Sequence, residues 1–261
     1  MGKVCVYFLK KGREVLEVAD YLLKGLRERG FEVTSHPKVG GIGSNELDLV
    51  KKDLDLVIAL GGDGTILRAV RVFDVPVAGV KLGGRGILAG TDPEELDEFL
   101  DRLARGELVA TDRMRIVAKF SGRASPPALN ELVLLRREPT KTPTFEIESE
   151  RFKIRQRMDG IVVSTPTGST GHSLSLRGPV VLEGSGILVL TPIAPISGMP
   201  SLVMPFMELR LRADEPLYLI VDGQVSLEVG RGEEVRIERG RPARLLGLRD
   251  EGFQQLHRLG F

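Results

Sequence analysis

The chain has 261 residues with 37 basic and 36 acidic side chains, and its net charge of +1 offers no strong field for nucleic acid or a membrane surface. Its single cysteine, Cys5, rules out an internal disulfide framework and suits a reducing cytoplasm, while the absence of tryptophan argues against base-stacking surfaces. No apolar run approaches the roughly 18–20 residues of a membrane span, and no cleavage pattern follows residues 1–9, so a soluble cytoplasmic protein without a signal peptide is expected.

Residues 4–9 read as a first strand, with Cys5 a small buried hydrophobe. The spacing predicts an amphipathic helix over 14–29, with Val15, Val18, Ala19, Leu22, Leu23 and Leu26 on one face and Gly30 as its stop. Residues 31–35 read as a second strand and 37–44 as a Gly-rich loop, and Asn45 can cap a short helix. Residues 54–60 are an apolar run rich in branched side chains, the pattern of a strand buried on both faces of a parallel sheet. After it, Ile66, Leu67, Val70 and Phe73 share one face of a helix. Residues 75–80 are another short strand. Asp92-Pro93-Glu94-Glu95 starts a helix, with a cap, a first-turn proline and acids, which ends at Arg105-Gly106. Strands alternating with helices over 1–106 imply a parallel, doubly wound α/β domain.

From about residue 107 helical periodicity gives way to strands at 115–120, 131–135, 145–148, 152–156, 161–164, 186–190, 207–212, 217–221, 225–229 and 234–238. Ser149-Glu150 reads as a hairpin tip and 230–233 as a turn, so an all-β, sandwich-like second domain spans 107–242. A short helix over 252–259 is expected to pack back on the first domain.

The chemistry gathers at loops. Gly61-Gly62-Asp63-Gly64-Thr65 joins a buried strand to a helix N-terminus, where open amides and the helix dipole favour phosphate. A lone carboxylate among phosphate-binding amides serves to place a metal ion or to take a proton from an attacking hydroxyl; otherwise Asp63 only caps the helix. Gly84-Arg85-Gly86-Ile87-Leu88-Ala89 matches G-x-G-x-x-G/A, but the helix that a dinucleotide fingerprint needs does not follow. A second phosphate- or ribose-facing loop is the better reading, with Lys81 and Arg85 as phosphate contacts or as solvated cations. No Walker A motif is present, and His36, His172 and His257 are too scattered for a zinc site or a hydrolase triad. Asn130-Glu131, at the head of an apolar strand, suits a ribose diol or an adenine edge, with an ordinary turn and a surface acid as the alternative. Asp159 enters a strand that ends in Thr165-Pro166-Thr167-Gly168-Ser169-Thr170, a run of short hydroxyls fit for phosphate and sugar oxygens.

Taken together, Gly61-Gly62-Asp63-Gly64-Thr65, Asn130-Glu131, Asp159-Gly160, Thr165 to Thr170 and Ser175-Leu176-Arg177-Gly178-Pro179 stand in the order and spacing of the NAD kinase family, which the sequence resembles over nearly its whole length. Thr191-Pro192-Ile193-Ala194-Pro195 and Val221-Asp222-Gly223-Gln224 resemble the family's later landmarks, and the compactness is similar to archaeal members. The resemblance implies an α/β domain over 1–106 plus about 243–261 and a β-rich, NAD-binding domain over 107–242. It implies transfer of a phosphoryl group from ATP or polyphosphate to the 2′-hydroxyl of the adenosine ribose of NAD, with Mg²⁺ or another divalent cation and a homodimer or homotetramer. Asp63 is then catalytic, and Gly61, Gly62, Gly64 and Thr65 hold the donor phosphates. Asn130, Glu131, Asp159, Thr165, Thr167, Gly168, Ser169, Thr170, His172 and Ser175 bind NAD, with Asp222 and Gln224 as a C-terminal motif. Lys81, Ile87 and His172 depart from the family's usual Asn, Phe and Tyr.

Overall fold

The computed structural model describes residues 2–10, 12–37, 53–83 and 86–249, in two compact units: Met1–Asp112 with Ala243–Phe261, and Arg113–Pro242. In the first unit the strands are β1 (Lys3–Phe8), β2 (Glu32–His36), β3 (Leu56–Gly61), β4 (Val77–Lys81) and β5 (Val109–Arg113). The sheet runs β2-β1-β3-β4, then the strand Ala243–Gly247 from the end of the chain, then β5. The pairs β2-β1, β1-β3 and β3-β4 are parallel, as is the pairing of Ala243–Gly247 with β4. Nearly unbroken burial along β1, β3 and β4 is what the apolar runs required of strands covered on both faces.

Among its described residues this unit also holds helices α1 (Arg13–Glu28), α2 (Asp63–Val72) and α3 (Leu96–Arg105). Leu22, Leu23 and Leu26 of α1 are buried, and Gly25 lets α3 come close, since a Cβ there would meet Leu100 Cδ1 at 2.5 Å. The expected start of α3 is present as a capping box between Asp92 and Glu95 over a short 3₁₀ turn, and Gly106 ends it in the left-handed conformation. From β1 the chain steps outward to β2, then resumes on the other side of β1 with β3. That reversal creates a crevice at the carboxyl ends of the strands, where α/β sheets receive ligands.

The second unit holds β6 (Ile116–Phe120), β7 (Arg123–Ala124), β8 (Glu131–Arg136), β9 (Thr144–Glu148), β10 (Lys153–Arg157) and β11 (Gly160–Ser164). It continues through β12 (Ile187–Ile193), β13 (Leu202–Pro205), β14 (Leu209–Ala213), β15 (Leu217–Val221), β16 (Val225–Val229) and β17 (Val235–Arg239). Two six-stranded antiparallel sheets result, β10-β9-β14-β17-β6-β7 and β13-β12-β11-β8-β15-β16. Their alternate residues, such as Phe145, Ile147 and Leu211 from one and Leu134, Val163 and Leu219 from the other, form one buried core. On the opposite face of β8, β11 and β12, Glu131, Ser164 and Thr191 are buried as well, because the segment after β11 folds back over them.

The second unit is β-rich rather than all-β: Thr167–Thr170 is a 3₁₀ turn and His172–Ser175 (α4) a single helical turn. Strands β5, β7, β13 and Ala243–Gly247 were not expected from the sequence; each is short, and only its partners make it a strand. The helix expected after Asn45 and the one expected over 252–259 lie outside the described residues. Among the described residues no helix is long and apolar enough to cross a membrane.

Candidate functional site

In the first unit, Gly61 ends β3 at φ +143°, a backbone angle open to glycine, and a Cβ there would meet Thr65 Oγ1 at 2.7 Å. Gly62 is the N-cap of α2, and its carbonyl accepts the N–H groups of Thr65 and Ile66. Asp63 is the first residue of α2, one past the N-cap position, which Gly62 holds. The capping alternative for Asp63 is therefore replaced by a longer reach: its Oδ1 accepts the backbone N–H of Leu88 at 2.8 Å. That bond ties the Gly-rich turn to the second Gly-rich loop, and Leu82 N–H to Gly61 carbonyl at 3.2 Å adds another link. Asp63 is thus an oriented carboxylate at a helix N-terminus, in the crevice of a parallel sheet. Lys81 lies 3.8 Å from Asp92, so the expected phosphate contact already has an acidic neighbour, and Arg85 lies outside the described residues.

In the second unit the Asn130-Glu131 turn is organised by Asp222. The Asp222 carboxylate accepts the backbone N–H groups of Leu129 at 3.1 Å, Asn130 at 2.8 Å and Glu131 at 3.2 Å. Its own N–H donates to the Glu131 carbonyl at 3.1 Å. Asp222 and Gly223 both have positive φ (48° and 64°), the signature of a type I′ turn between β15 and β16. Gln224 closes that turn through its N–H to Val221 and is itself exposed.

Glu131 is only 5% exposed, and its Oε2 has no hydrogen-bond partner among the described residues. Burial first, and then the charge of Asp222, push its carboxyl up to about 8, against the opposing pull of the His172 backbone N–H. It is therefore not the surface acid of the alternative reading, and at neutral pH it is mainly a neutral acid that can donate a hydrogen bond.

This gives a prediction. The folded value of about 8 lies above the ordinary 4.5, so between them the folded state binds more protons than the unfolded one. Stability is therefore fully present below about pH 4.5 and is lost as pH rises through about 8, by of order 3–5 kcal/mol from this group. Denaturation midpoints of the native protein and Glu131→Gln, followed from pH 5 to 9, check it. The variant should lose most of this slope; an equal slope in both assigns the pH dependence elsewhere.

The hydroxyl loop is turned inward. Thr165 Oγ1 donates to the Leu129 carbonyl at 2.5 Å and accepts the Gly168 N–H at 3.2 Å, and Thr165 N–H donates to the Asn130 carbonyl at 2.9 Å. Thr167 donates to Glu183 at 2.5 Å, and Ser169 Oγ donates to the Pro166 carbonyl at 2.7 Å and accepts the Val181 N–H at 2.9 Å. These three residues are buried with their hydrogen bonds made inside the protein, and those bonds hold the loop. Gly168 is required because a Cβ there would overlap the Asn130 carbonyl. Thr170, half-buried, bonds to the Thr167 carbonyl, while His172 and Ser175 are exposed on α4. Asp159 is paired with Arg136 at 3.1 Å.

Comparison with known proteins bears on both halves. The family model for the ATP-NAD kinase N-terminal domain matches residues 8–108, and that for the ATP-NAD kinase C-terminal domain matches 129–246. An NAD kinase of Methanocorpusculum labreanum is 34% identical over 246 residues, covering 91% of this chain and 90% of that relative. The chain belongs to the NAD kinase family. Among solved structures, an NAD kinase from Archaeoglobus fulgidus in complex with ATP superposes with a TM-score of 0.83 at 25% identity, covering 99% of this chain and 98% of that one. A yeast NADH kinase complexed with NADH shares the fold, with a TM-score of 0.87 at 23% identity over 100% of this chain and 89% of that one.

Within this NAD kinase family member, sequence reasoning named Asp222 without a role and missed the Leu88 amide, Arg136, Arg113 and Glu183. The Asp-Gly pair at 222–223, a hairpin-turn signal, could have marked Asp222 as a turn residue. The others carry no local signal.

Proposed function

We infer that the protein is an NAD kinase, transferring a phosphoryl group from ATP to the 2′-hydroxyl of the adenosine ribose of NAD to give NADP. The family match over both units carries this reading, and Asp63 at the carboxyl end of β3 supports it. In phosphoryl transfer, positioning and charge neutralisation do most of the catalysis. The amides of Gly62 and Asp63, at the start of α2, would hold phosphate oxygens. With Oδ1 steadied by Leu88, Asp63 has its second oxygen to accept the hydroxyl proton or to meet a cation.

Among the described residues no three His, Cys, Asp or Glu side chains assemble into a metal site. Magnesium in kinase sites is held by one or two carboxylates together with the nucleotide's own phosphate oxygens, so a single carboxylate such as Asp63 suffices for the proposed ion. Asp63 would be its protein ligand, and when bound the ion would neutralise phosphate charge. The Asn130-Glu131 turn is proposed to grip NAD, and the hydroxyl loop to brace that turn.

Incubation with NAD, ATP and Mg²⁺ should form NADP, and no NADP under any tested donor would overturn the reading. Running polyphosphate and NADH in parallel arms identifies the donor and the acceptor form. Asn130→Ala should weaken NAD binding by about 1–3 kcal/mol, the cost of an unpaired polar partner, with ATP affinity little changed. Calorimetry separates the two, and equal losses for both nucleotides would mean a general structural defect.

A further inference from the structure

A buried ion pair lies directly behind the hydroxyl loop. Glu183 Oε1 accepts from Arg113 Nη1 at 2.5 Å and from Thr167 Oγ1 at 2.5 Å. The Arg113 and Glu183 side chains are only 4% and 5% exposed. Two residues upstream of Glu183, Val181 bonds to Ser169 through its N–H. The segment before β12 therefore grips the loop at Thr167 and at Ser169. On its other side the loop is pressed on the Asn130-Glu131 turn: Thr165 takes the carbonyls of Leu129 and Asn130, and Gly168 leaves no room for a side chain against Asn130.

We propose that Glu183 and Arg113 are positioning residues for NAD, a buried charged clamp that fixes the hydroxyl loop and through it the Asn130-Glu131 turn. The proposal rests on the NAD kinase reading, and it places the specificity for NAD partly in residues that never touch the nucleotide. A buried ion pair is a costly way to gain stability, since apolar replacements of similar volume are often as stable. Directional bonds are what it adds. One carboxylate oxygen receives both a guanidinium and a hydroxyl, so moving either partner moves the other.

Steady-state kinetics and thermal unfolding on four variants separate positioning from stability. Glu183→Ala removes the acceptor, and should raise KM for NAD by about 10-fold or more while KM for ATP and kcat per folded enzyme stay within about 3-fold. Glu183→Gln loses the charge but keeps a carbonyl for Thr167. It should unfold at a lower temperature yet hold KM for NAD nearer the native value than Glu183→Ala does. Thr167→Val keeps the ion pair and loses only the tether, so its unfolding temperature should stay near native while KM for NAD rises. Combined with Glu183→Ala, Thr167→Val should add nothing further, because both cut one link.

Native KM for NAD in Glu183→Ala overturns the proposal, as do equal increases in KM for NAD and ATP, or additive effects in the double variant. Should Glu183→Ala fail to fold, Thr167→Val decides alone: an unchanged KM for NAD rejects the clamp. A native protein that forms no NADP but binds NAD in calorimetry would sink the kinase reading, and the same variants would then be scored by NAD Kd.

Discussion

Asp63→Asn should lower kcat by about 10²–10⁴, roughly 3–5 kcal/mol of barrier, with little change in folding. The amide oxygen of Asn can still accept the Leu88 N–H, which in the native protein meets Asp63 Oδ1 at 2.8 Å, so the bridge between the two Gly-rich loops survives. What disappears is the charge that would take a proton or meet a cation. Asp63→Ala makes the contrast, since it loses the charge and the bridge together. It should be as inactive as the Asn variant, and in addition show weaker ATP binding from a loosened loop. Turnover close to native in Asp63→Asn would reduce Asp63 to a tie between loops and remove its catalytic role.

Asp222→Ala should be the most damaging change in the second unit, destabilising it by about 3–5 kcal/mol and abolishing measurable NAD binding. Three backbone N–H groups, of Leu129, Asn130 and Glu131, converge on this one carboxylate, and each left unpaired in the interior carries a desolvation cost. Alanine would also sit strained at φ +48°, where Asn and Asp are tolerated. Asp222→Asn should therefore be much milder: it keeps an acceptor and the turn, though one oxygen must give way to an amide. It should also lower the Glu131 pKa, because the Asp222 charge is one of the two causes that raise it. Chemical denaturation of both variants, with NAD calorimetry beside it, tests the order Ala far worse than Asn. Equal and small losses would show that the turn holds its shape without the carboxylate.

The sequence by itself determined the alternation that makes the first unit and the strand series that makes the second. Each depends on periodicity within one element: the unbroken apolar run of β3, the leucines on one face of α1, and the alternation along β9 and β14. It also determined that Gly-Gly-Asp-Gly-Thr stands between a buried strand and a helix, the pattern on which the proposed reacting centre rests. Tertiary structure alone decided what those side chains do.

Thr165, Thr167 and Ser169 are short hydroxyls of the kind that suits ligand oxygens, and each also bonds within the protein, because the loop folds back over β11 and finds partners inside. Glu131 could be read from sequence as a surface acid, yet it is buried beside Asp222 and its carboxyl is pushed up to about 8, since desolvation depends on neighbours brought from far along the chain. The Asp63–Leu88 bond spans 25 residues, the Asp222–Asn130 bond 92, and the Arg113–Glu183 pair joins the entry of the second unit to the segment before β12. No local pattern encodes such contacts, because hydrogen bonds and charge pairs require only that two groups meet. Periodicity tells a chain which face to bury, and only the packed fold tells a carboxylate whom it meets there.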